Sequence, residues 1–171
     1  MERNYKGCKD SQPARGDKGE MSVRKEFIHK TSWMIVTKEM ANRLAFLLKP
    51  VAGLIIDPCA GTGWLAYHLR QRGVTMEAYD NESDYFGTKR PNYGYRVKDV
   101  KDQPIEKADV IVLTWPGYRD ETWTNVLKRM KPGALLVYNG EFYFGCCAAE
   151  SFLQRTRRKL SRGFRPWVLS E

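Results

Sequence analysis

Short runs of consecutive apolar residues alternate along this chain with longer segments in which apolar residues recur at helical spacing. The strand-like runs lie at residues 54–56, 75–79, 108–113 and 134–138, and a brief further strand is predicted at 96–97. The helix-like segments lie at residues 39–48, 64–72, 122–130 and 148–160. Unbroken apolar runs of this length are typical of strands buried on both faces. Parallel strands need long connections between them, which are usually helices. The alternation predicts an α/β fold with a mostly parallel sheet.

Residues 53–80 form the unit around which the rest of the chain is organised. The first strand ends at Asp57, and a turn with almost no side chains follows at residues 60–63. A helix comes next and is expected to end at Gly73, as a glycine after the last helical turn does. The second strand leads to Asp80 at its carboxyl end. The unit therefore reads strand, glycine turn, helix, strand and acid.

This order of elements is suited to binding a nucleoside. A turn without side chains lets a ligand approach the backbone, and an acid about 20 residues later can accept both hydroxyls of a ribose. The glycines are spaced G-x-G, and Ala66 stands where a dinucleotide-binding turn has its third glycine. The alternative is an ordinary strand–helix–strand unit with a glycine turn and an acid that is there by chance.

The sequence A-G-T-G, preceded by D-x-x, resembles motif I of the class I S-adenosylmethionine-dependent methyltransferases. The resemblance covers residues 27–167 and is closest to a group of small, uncharacterised methyltransferase-like proteins with a W-P-P-Y turn. Gly117 replaces the second proline of that turn, and Asn139 and Cys147 are further departures. The resemblance implies a compact Rossmann-like, doubly wound sheet with helices on both faces. Because little chain follows the fifth strand, we expect a shortened carboxyl-terminal end.

The resemblance also implies S-adenosylmethionine as the cofactor and a set of residues that contact it. In the family, an acid in the position of Asp80 holds the ribose, and an acid in the position of Asp99 meets the adenine amino group. Asp57 is expected to orient the turn and the cofactor, and Thr114 begins a turn that lies beside the sulfonium end. The expected cofactor contacts are Asp57, Ala60, Gly61, Gly63, Asp80, Asp99, Val100, Thr114, Trp115 and Pro116.

Two residues near the expected rim of this pocket are candidates for a catalytic base or an orienting group, Tyr118 and Glu141. The W-P-G-Y turn is similar to the P-P-Y turn of enzymes that methylate amino groups of DNA bases. Trp115 stands where those enzymes have Asp, Asn or Ser, and its indole offers a donor and no acceptor. This counts against a standard base aminomethylase. The alternative is a proline turn whose aromatic side chains only fill the rim. Trp33, in the segment before the first helix, either lines the amino-acid end of the cofactor pocket, as the resemblance implies, or only caps the core.

The length of 171 residues fits one domain, which we expect at residues 27–171 after a flexible arm at residues 1–26. No apolar run approaches a membrane span, and the polar amino end has no signal-peptide core. The four cysteines have no C-x-x-C spacing and there are two histidines. We therefore expect reduced thiols, no metal site, no membrane contact and a cytoplasmic location.

A formal charge of +9 biases this basic protein toward anionic partners. Six cations and no acid lie within residues 155–165, namely Arg155, Arg157, Arg158, Lys159, Arg162 and Arg165. This segment is a candidate nucleic-acid contact, or else the solvated face of a terminal helix.

Three functions follow from these patterns. The first is a methyltransferase that acts on a nucleic acid or on a protein bound to one, which the basic segment slightly favours. The second is a methyltransferase of a small metabolite. The third is a non-catalytic protein with a methyltransferase fold that acts through its basic surface.

Overall fold

The computed structural model describes residues 31, 34–80, 97–117, 120–140 and 147–160, with the backbone alone at residues 97–100 and 157–160. The described strands are β1 Ile55–Asp57, β2 Glu77–Asp80, β3 Val97–Asp99, β4 Val110–Thr114 and β5 Leu135–Asn139. The described helices are α1 Lys38–Leu48, α2 Trp64–Arg70, a 3-10 helix Val100–Asp102, α3 Thr122–Arg129 and α4 Glu150–Leu160. The predicted α/β class is confirmed.

All five described strands are parallel and form one sheet in the order β3-β2-β1-β4-β5. The chain moves outward from β1 to β3 on one side, then returns to place β4 on the other side of β1. The strand order therefore reverses between β1 and β4, and ligands of open α/β sheets bind outside the carboxyl ends of the strands at such a point. These topological facts are consistent with the Rossmann-like fold expected from the sequence.

Helices cover both faces of the sheet because successive strand residues point to opposite sides. On one face, Ile55 and Val112 pack in a cluster with the apolar sides of α1 and α2. On the other face, Ile56 and Leu113 pack with Trp123 of α3 and with residues of α4. The strands β1 and β4 are thus buried on both sides, as their unbroken apolar runs predicted.

The helix boundaries agree with the sequence patterns to within two residues. Helix α1 begins after Thr37, whose hydroxyl accepts a hydrogen bond from Met40 N (3.1 Å), so the predicted N-cap is confirmed. Helix α2 ends at Arg70, two residues earlier than predicted. The chain then turns through Gly73 at φ +77°, a left-handed conformation that glycine adopts without steric cost.

Several sequence predictions lie outside the described residues. These are the arm at residues 1–26, the extended segment after α4 and the position of Trp33. No helix in the described ranges is both long enough and apolar enough to span a membrane.

Candidate functional site

The glycine turn after β1 is bonded directly to the acid that ends β2. Gly61 N donates to Asp80 Oδ2 over 2.7 Å, and Ala60 N donates to the carbonyl of Tyr79 over 2.9 Å. Asp80 is 9% exposed. Because β1 and β2 are adjacent parallel strands, their carboxyl ends meet at one edge, and this edge brings the turn and the acid together.

The turn itself needs glycine at two positions. Gly61 has φ +58° and Gly63 has φ +78°, both in the left-handed region where a Cβ costs energy. Gly63 also stands directly before the first residue of α2. The backbone between β1 and α2 is therefore held in a conformation that a side chain at either position would strain.

Cys59 ties the same turn to a third strand. Its backbone N donates to Asp57 Oδ1 (3.1 Å), and its thiol donates to the carbonyl of Thr114 at the end of β4 (3.1 Å). Burial raises the pKa of this thiol, and the neighbouring Asp57 raises it further. Cys59 therefore stays protonated at neutral pH and acts as a fixed hydrogen-bond donor between β1 and β4.

Asp57 is a buried carboxyl group that holds a proton at neutral pH. Asp57 is 1% exposed, and burial raises the pKa of its carboxyl group from 3.8 to about 8. The hydrogen bond from Cys59 N opposes that shift, whereas the charge of nearby Asp80 adds to it. Two carboxyl groups thus share this edge of the sheet, and the more deeply buried one is neutral.

The pKa of Asp57 predicts how stability depends on pH. Between pH 4 and 8 the folded state holds a proton that the unfolded state has lost, so the free energy of unfolding falls as the pH rises, by at most about 1.4 kcal/mol per pH unit. Asp57→Asn keeps an oxygen that can accept the hydrogen bond from Cys59 N, and it removes the group that gains or loses a proton. We expect the stability of Asp57→Asn relative to wild type to increase steadily from pH 5 to pH 8 in urea denaturation.

Asp109→Asn is the matched control for this pH series. The hydrogen bond from Lys131 holds the pKa of Asp109 below its usual value, so its contribution is lost only as the pH falls into the acid range. The stability difference for Asp109→Asn should therefore stay level between pH 5 and 8. A level difference for Asp57→Asn as well would contradict a buried, protonated Asp57.

Residues before α1 lie across this edge of the sheet. The hydroxyl of Thr62, in the glycine turn, donates to the carbonyl of Thr31. Met34 is 4% exposed, and its sulfur accepts from Asn139 Nδ2 at the end of β5 (3.2 Å). Thr31 is thus bonded to the glycine turn after β1, and Met34 to the residue that ends β5.

Two non-glycine residues beside the end of β4 have left-handed backbones. Trp115 has φ +51° and Ala148 has φ +58°. Trp115 N donates to the carbonyl of Asn139 (2.7 Å), and Ala148 N donates to the carbonyl of Pro116 (3.1 Å). Such strain is held in place by surrounding structure and clusters at functional sites. It marks the turn after β4 as a second part of the candidate site.

The structure brings eight of the ten expected cofactor contacts to one edge of the sheet. They are Asp57, Ala60, Gly61, Gly63, Asp80, Thr114, Trp115 and Pro116. Asp99 lies there by its backbone, since it is the register partner of Asp80, and Val100 follows it; their side chains are outside the description. Tyr118 and Glu141 lie outside the described residues.

Sequence reasoning missed the residues that hold these parts together. Cys59 and Thr62 lie within the quoted motif, yet their partners are 55 and 31 residues away along the chain. In the sequence, Asn139 stands out only as a departure from the similar group. The left-handed backbone of Ala148 could not be predicted from the sequence. Alanine does not favour that conformation, so the surrounding structure must impose it.

Arg155, the one cation of the basic segment whose side chain is described, lies away from this edge of the sheet. Arg155 of α4 lines a cleft of about 460 Å3 together with Lys128, Lys131 and the turn that precedes β5. This cleft is at the amino end of β5, whereas Asp80 is at the carboxyl edge. The side chains of Arg157, Arg158 and Lys159 are outside the description, as are Arg162 and Arg165. Among the described residues, no group of His, Cys, Asp and Glu could hold a metal ion.

No protein-family model, no curated protein and no solved structure matches this chain. The glycine turn, the two carboxyl groups and the strained turn after β4 are therefore the basis for a functional proposal.

Proposed function

We propose that this protein is an S-adenosylmethionine-dependent methyltransferase with a Rossmann-like, doubly wound fold. The observation that carries the proposal is the 2.7 Å bond from Gly61 N to Asp80 Oδ2, between the carboxyl ends of β1 and β2 and next to the strand-order reversal. It brings a glycine turn and an acid together where nucleoside ligands of such sheets bind. These two groups fit an adenosine. The glycine turn has almost no side chains, so a ligand can approach its backbone, and the Asp80 carboxylate can accept hydrogen bonds from the ribose hydroxyls.

Each part of the edge has a role in this proposal. A carboxylate has about four lone-pair sites, so Asp80 can hold the Gly61 amide and still accept from ribose hydroxyls. Asp99, its register partner on β3, is assigned to the adenine amino group, with Val100 beside the ring. Ala60, Gly61 and Gly63 present backbone to the ligand, and Asp57 keeps the turn in place through Cys59 N.

The cofactor would supply a methyl group on a sulfonium, whose C–S bond breaks as the acceptor's lone pair attacks the methyl carbon. The protein's task is alignment in a pocket without water. Thr114, Trp115 and Pro116 are assigned to the side of the pocket where that transfer occurs. Tyr118 and Glu141 stay candidates for removing a proton from the acceptor or orienting it.

We prefer a nucleic acid, or a protein bound to one, as the acceptor, because the net charge of +9 favours anionic partners. A small metabolite is the second choice. A cytoplasmic location is proposed with it, since Cys59 and Cys147 are both free thiols.

The proposal is tested with the purified chain and S-adenosylmethionine that carries a labelled methyl group. We expect calorimetry to show micromolar binding of S-adenosylmethionine and S-adenosylhomocysteine. We further expect label in the nucleic-acid fraction when RNA, DNA, protein extract and small-molecule extract are offered separately. Label found only in the small-molecule fraction would indicate that the acceptor is a small metabolite. If the chain binds neither form of the cofactor, the proposal of an S-adenosylmethionine-dependent methyltransferase is refuted.

A non-catalytic protein that acts through its basic surface is the alternative. The cleft lined by Lys128, Lys131 and Arg155 favours this alternative. Its three cations lie at the edge of the sheet opposite to Asp80, so an anion could bind there without contacting the candidate cofactor site. Tight cofactor binding without transfer to any fraction, together with salt-sensitive nucleic-acid binding, would support this alternative over the enzyme.

A further inference from the structure

Two helices and a turn enclose a cleft at the amino end of β5, and three cations line it. Lys128 lies in the last turn of α3, Lys131 begins the turn before β5, and Arg155 lies on α4. None of the described residues that line this basic cleft is an acid. A cleft lined by charge of one sign concentrates the electrostatic field and attracts ions of the opposite sign. The lining therefore favours an anion.

Two of these three cations have no carboxylate as a partner. Lys131 forms an ion pair with Asp109 (2.6 Å), so its charge is compensated. Lys128 donates to the uncharged Asn125 Oδ1 (3.2 Å), and Arg155 is exposed. In the part of the chain that the structure describes, no Asp or Glu pairs with Lys128 or Arg155. Both charges are therefore available to an anionic ligand.

The two unpaired cations belong to helices that are fixed against each other. Thr124 Oγ1 of α3 and Ser151 Oγ of α4 lie 2.7 Å apart and share a hydrogen bond. Leu127 of α3 and Phe152 of α4 are buried in the same core cluster. The basic cleft is therefore formed before any ligand arrives, and a ligand that contacts both helices does not have to order them.

The floor of the basic cleft is apolar. Leu127 is 4% exposed, and Met130 is half-buried against the same core cluster. Pro132 also lines the cleft and has no backbone N–H. An apolar floor lowers the local dielectric beneath cations at the rim, which strengthens their attraction for a phosphate. The volume of about 460 Å3 lies in the range of sites that hold small ligands.

The sequence of α4 indicates a chain of phosphates and not a single one. This helix continues past Arg155 to Leu160, and three of its last five residues are Arg157, Arg158 and Lys159. One phosphate group needs fewer cations than this helix offers, whereas the backbone of a nucleic acid presents one negative charge per nucleotide. A row of cations on one helix therefore fits a nucleic-acid strand.

We propose that the basic cleft binds the phosphate backbone of a nucleic-acid strand through Lys128 and Arg155. Contacts to phosphates hold the strand in place and do not read its sequence. The inference goes beyond the proposed function, because the cleft binds the strand whether or not a methyl group is transferred. In a methyltransferase, the cleft holds the nucleic-acid acceptor away from the edge of the sheet where Asp80 lies.

The test measures the binding of a fluorescently labelled single-stranded RNA of about 15 nucleotides and mixed sequence by anisotropy, at a series of salt concentrations. Lys128→Gln and Arg155→Gln should each lower the slope of log affinity against log salt by about 0.7, the value for one phosphate contact on a single strand. The same contact corresponds to about fivefold weaker binding at about 0.1 M salt. The double variant should lose about 25-fold if the two contacts are independent.

Three controls accompany these variants. Arg155→Lys keeps the positive charge and should keep the wild-type slope. Lys49→Gln removes one exposed cation from the end of α1, which packs on the opposite face of the sheet, and should also keep the wild-type slope. Urea denaturation should give all variants the wild-type midpoint, because Lys128 and Arg155 are exposed and pair with no described carboxylate.

Three results would overturn the proposal. The first is a wild-type slope for both Lys128→Gln and Arg155→Gln, and the second is no RNA binding by wild type. The third is an equal loss of slope in Lys49→Gln, because binding would then follow net charge and not the cleft.

A free nucleotide is tested as the ligand with UMP, which lacks the adenine expected at the candidate cofactor site. We expect UMP to displace the labelled RNA only at concentrations more than about tenfold higher than unlabelled RNA, because it presents a single phosphate group. Displacement by UMP and by RNA at equal concentrations would overturn the assignment to a strand.

This proposal and the proposed function fail separately. Arg155→Gln should bind S-adenosylhomocysteine with wild-type affinity in calorimetry, because Arg155 and Asp80 lie at opposite edges of the sheet. RNA binding that depends on Arg155 in a protein that binds no cofactor would support the basic cleft and refute the methyltransferase. Cofactor binding and methyl transfer with an RNA affinity that ignores Lys128 and Arg155 would do the reverse.

Discussion

Asp80→Asn should weaken the binding of S-adenosylmethionine at least tenfold, which corresponds to about 1.4 kcal/mol. The amide keeps one oxygen for Gly61 N but loses the charge and one of the two acceptor oxygens. Hydrogen bonds to a charged acceptor contribute more than those to a neutral one, and a ribose presents two hydroxyls. Calorimetric titration of wild type and variant with the cofactor measures the difference.

Asp80→Ala extends this experiment, because it removes both oxygens and leaves Gly61 N without its partner. Its loss of affinity should exceed that of Asp80→Asn. Asp109→Asn is the control, since Asp109 lies just before β4 at the opposite edge of the sheet. Should Asp80→Asn bind the cofactor as tightly as wild type, Asp80 is an anchor for the turn and does not hold a ribose.

Gly53→Ala should lower the free energy of unfolding by about 2 kcal/mol, because the Asp109 side chain would have to move and would lose its two hydrogen bonds. A Cβ on Gly53 would lie 2.0 Å from Asp109 Oδ2 and 2.8 Å from Asp109 Cβ. That carboxylate accepts from Leu54 N (2.8 Å) and from Lys131 Nζ (2.6 Å), so it ties the chain before β1 to β4 and to the turn before β5. Urea denaturation should show a lower midpoint at unchanged slope.

Gly117→Ala is the matched control for Gly53→Ala. A Cβ there would meet the side chain of Asp120 at 3.6 Å, which is ordinary contact, and the backbone is outside the left-handed region. Its unfolding midpoint should match wild type or rise slightly, since alanine restricts the unfolded chain. If both variants unfold at the wild-type midpoint, the contact between Gly53 and Asp109 does not constrain the fold.

The α/β class could be predicted because local patterns carry it. The unbroken apolar runs that contain Ile55 and Val112 indicated buried strands, and the spacing of Leu65 and Leu69 indicated a helix that packs on them. The predicted N-cap Thr37 and the turn glycine Gly73 are also local features, since their effect depends on a few neighbouring residues. Boundaries were less accurate because hydrogen bonds outside each element decide where it ends.

The candidate site was only partly predictable. The pairing of the glycine turn with Asp80 follows from adjacent parallel strands, so sequence order and spacing indicate it. The contact from Cys59 to Thr114 depends on β4 lying next to β1, and no local pattern specifies that neighbour.

The sequence by itself determined the elements of this protein and the residue types at the turn, because strand and helix periodicity and glycine conformation are properties of short segments. Only the tertiary structure decided the strand order, the proton on Asp57, and the left-handed backbones of Trp115 and Ala148. Each of these depends on residues far apart in the chain, because burial, neighbouring charge and the hydrogen bonds that hold strained backbone arise only when the sheet assembles.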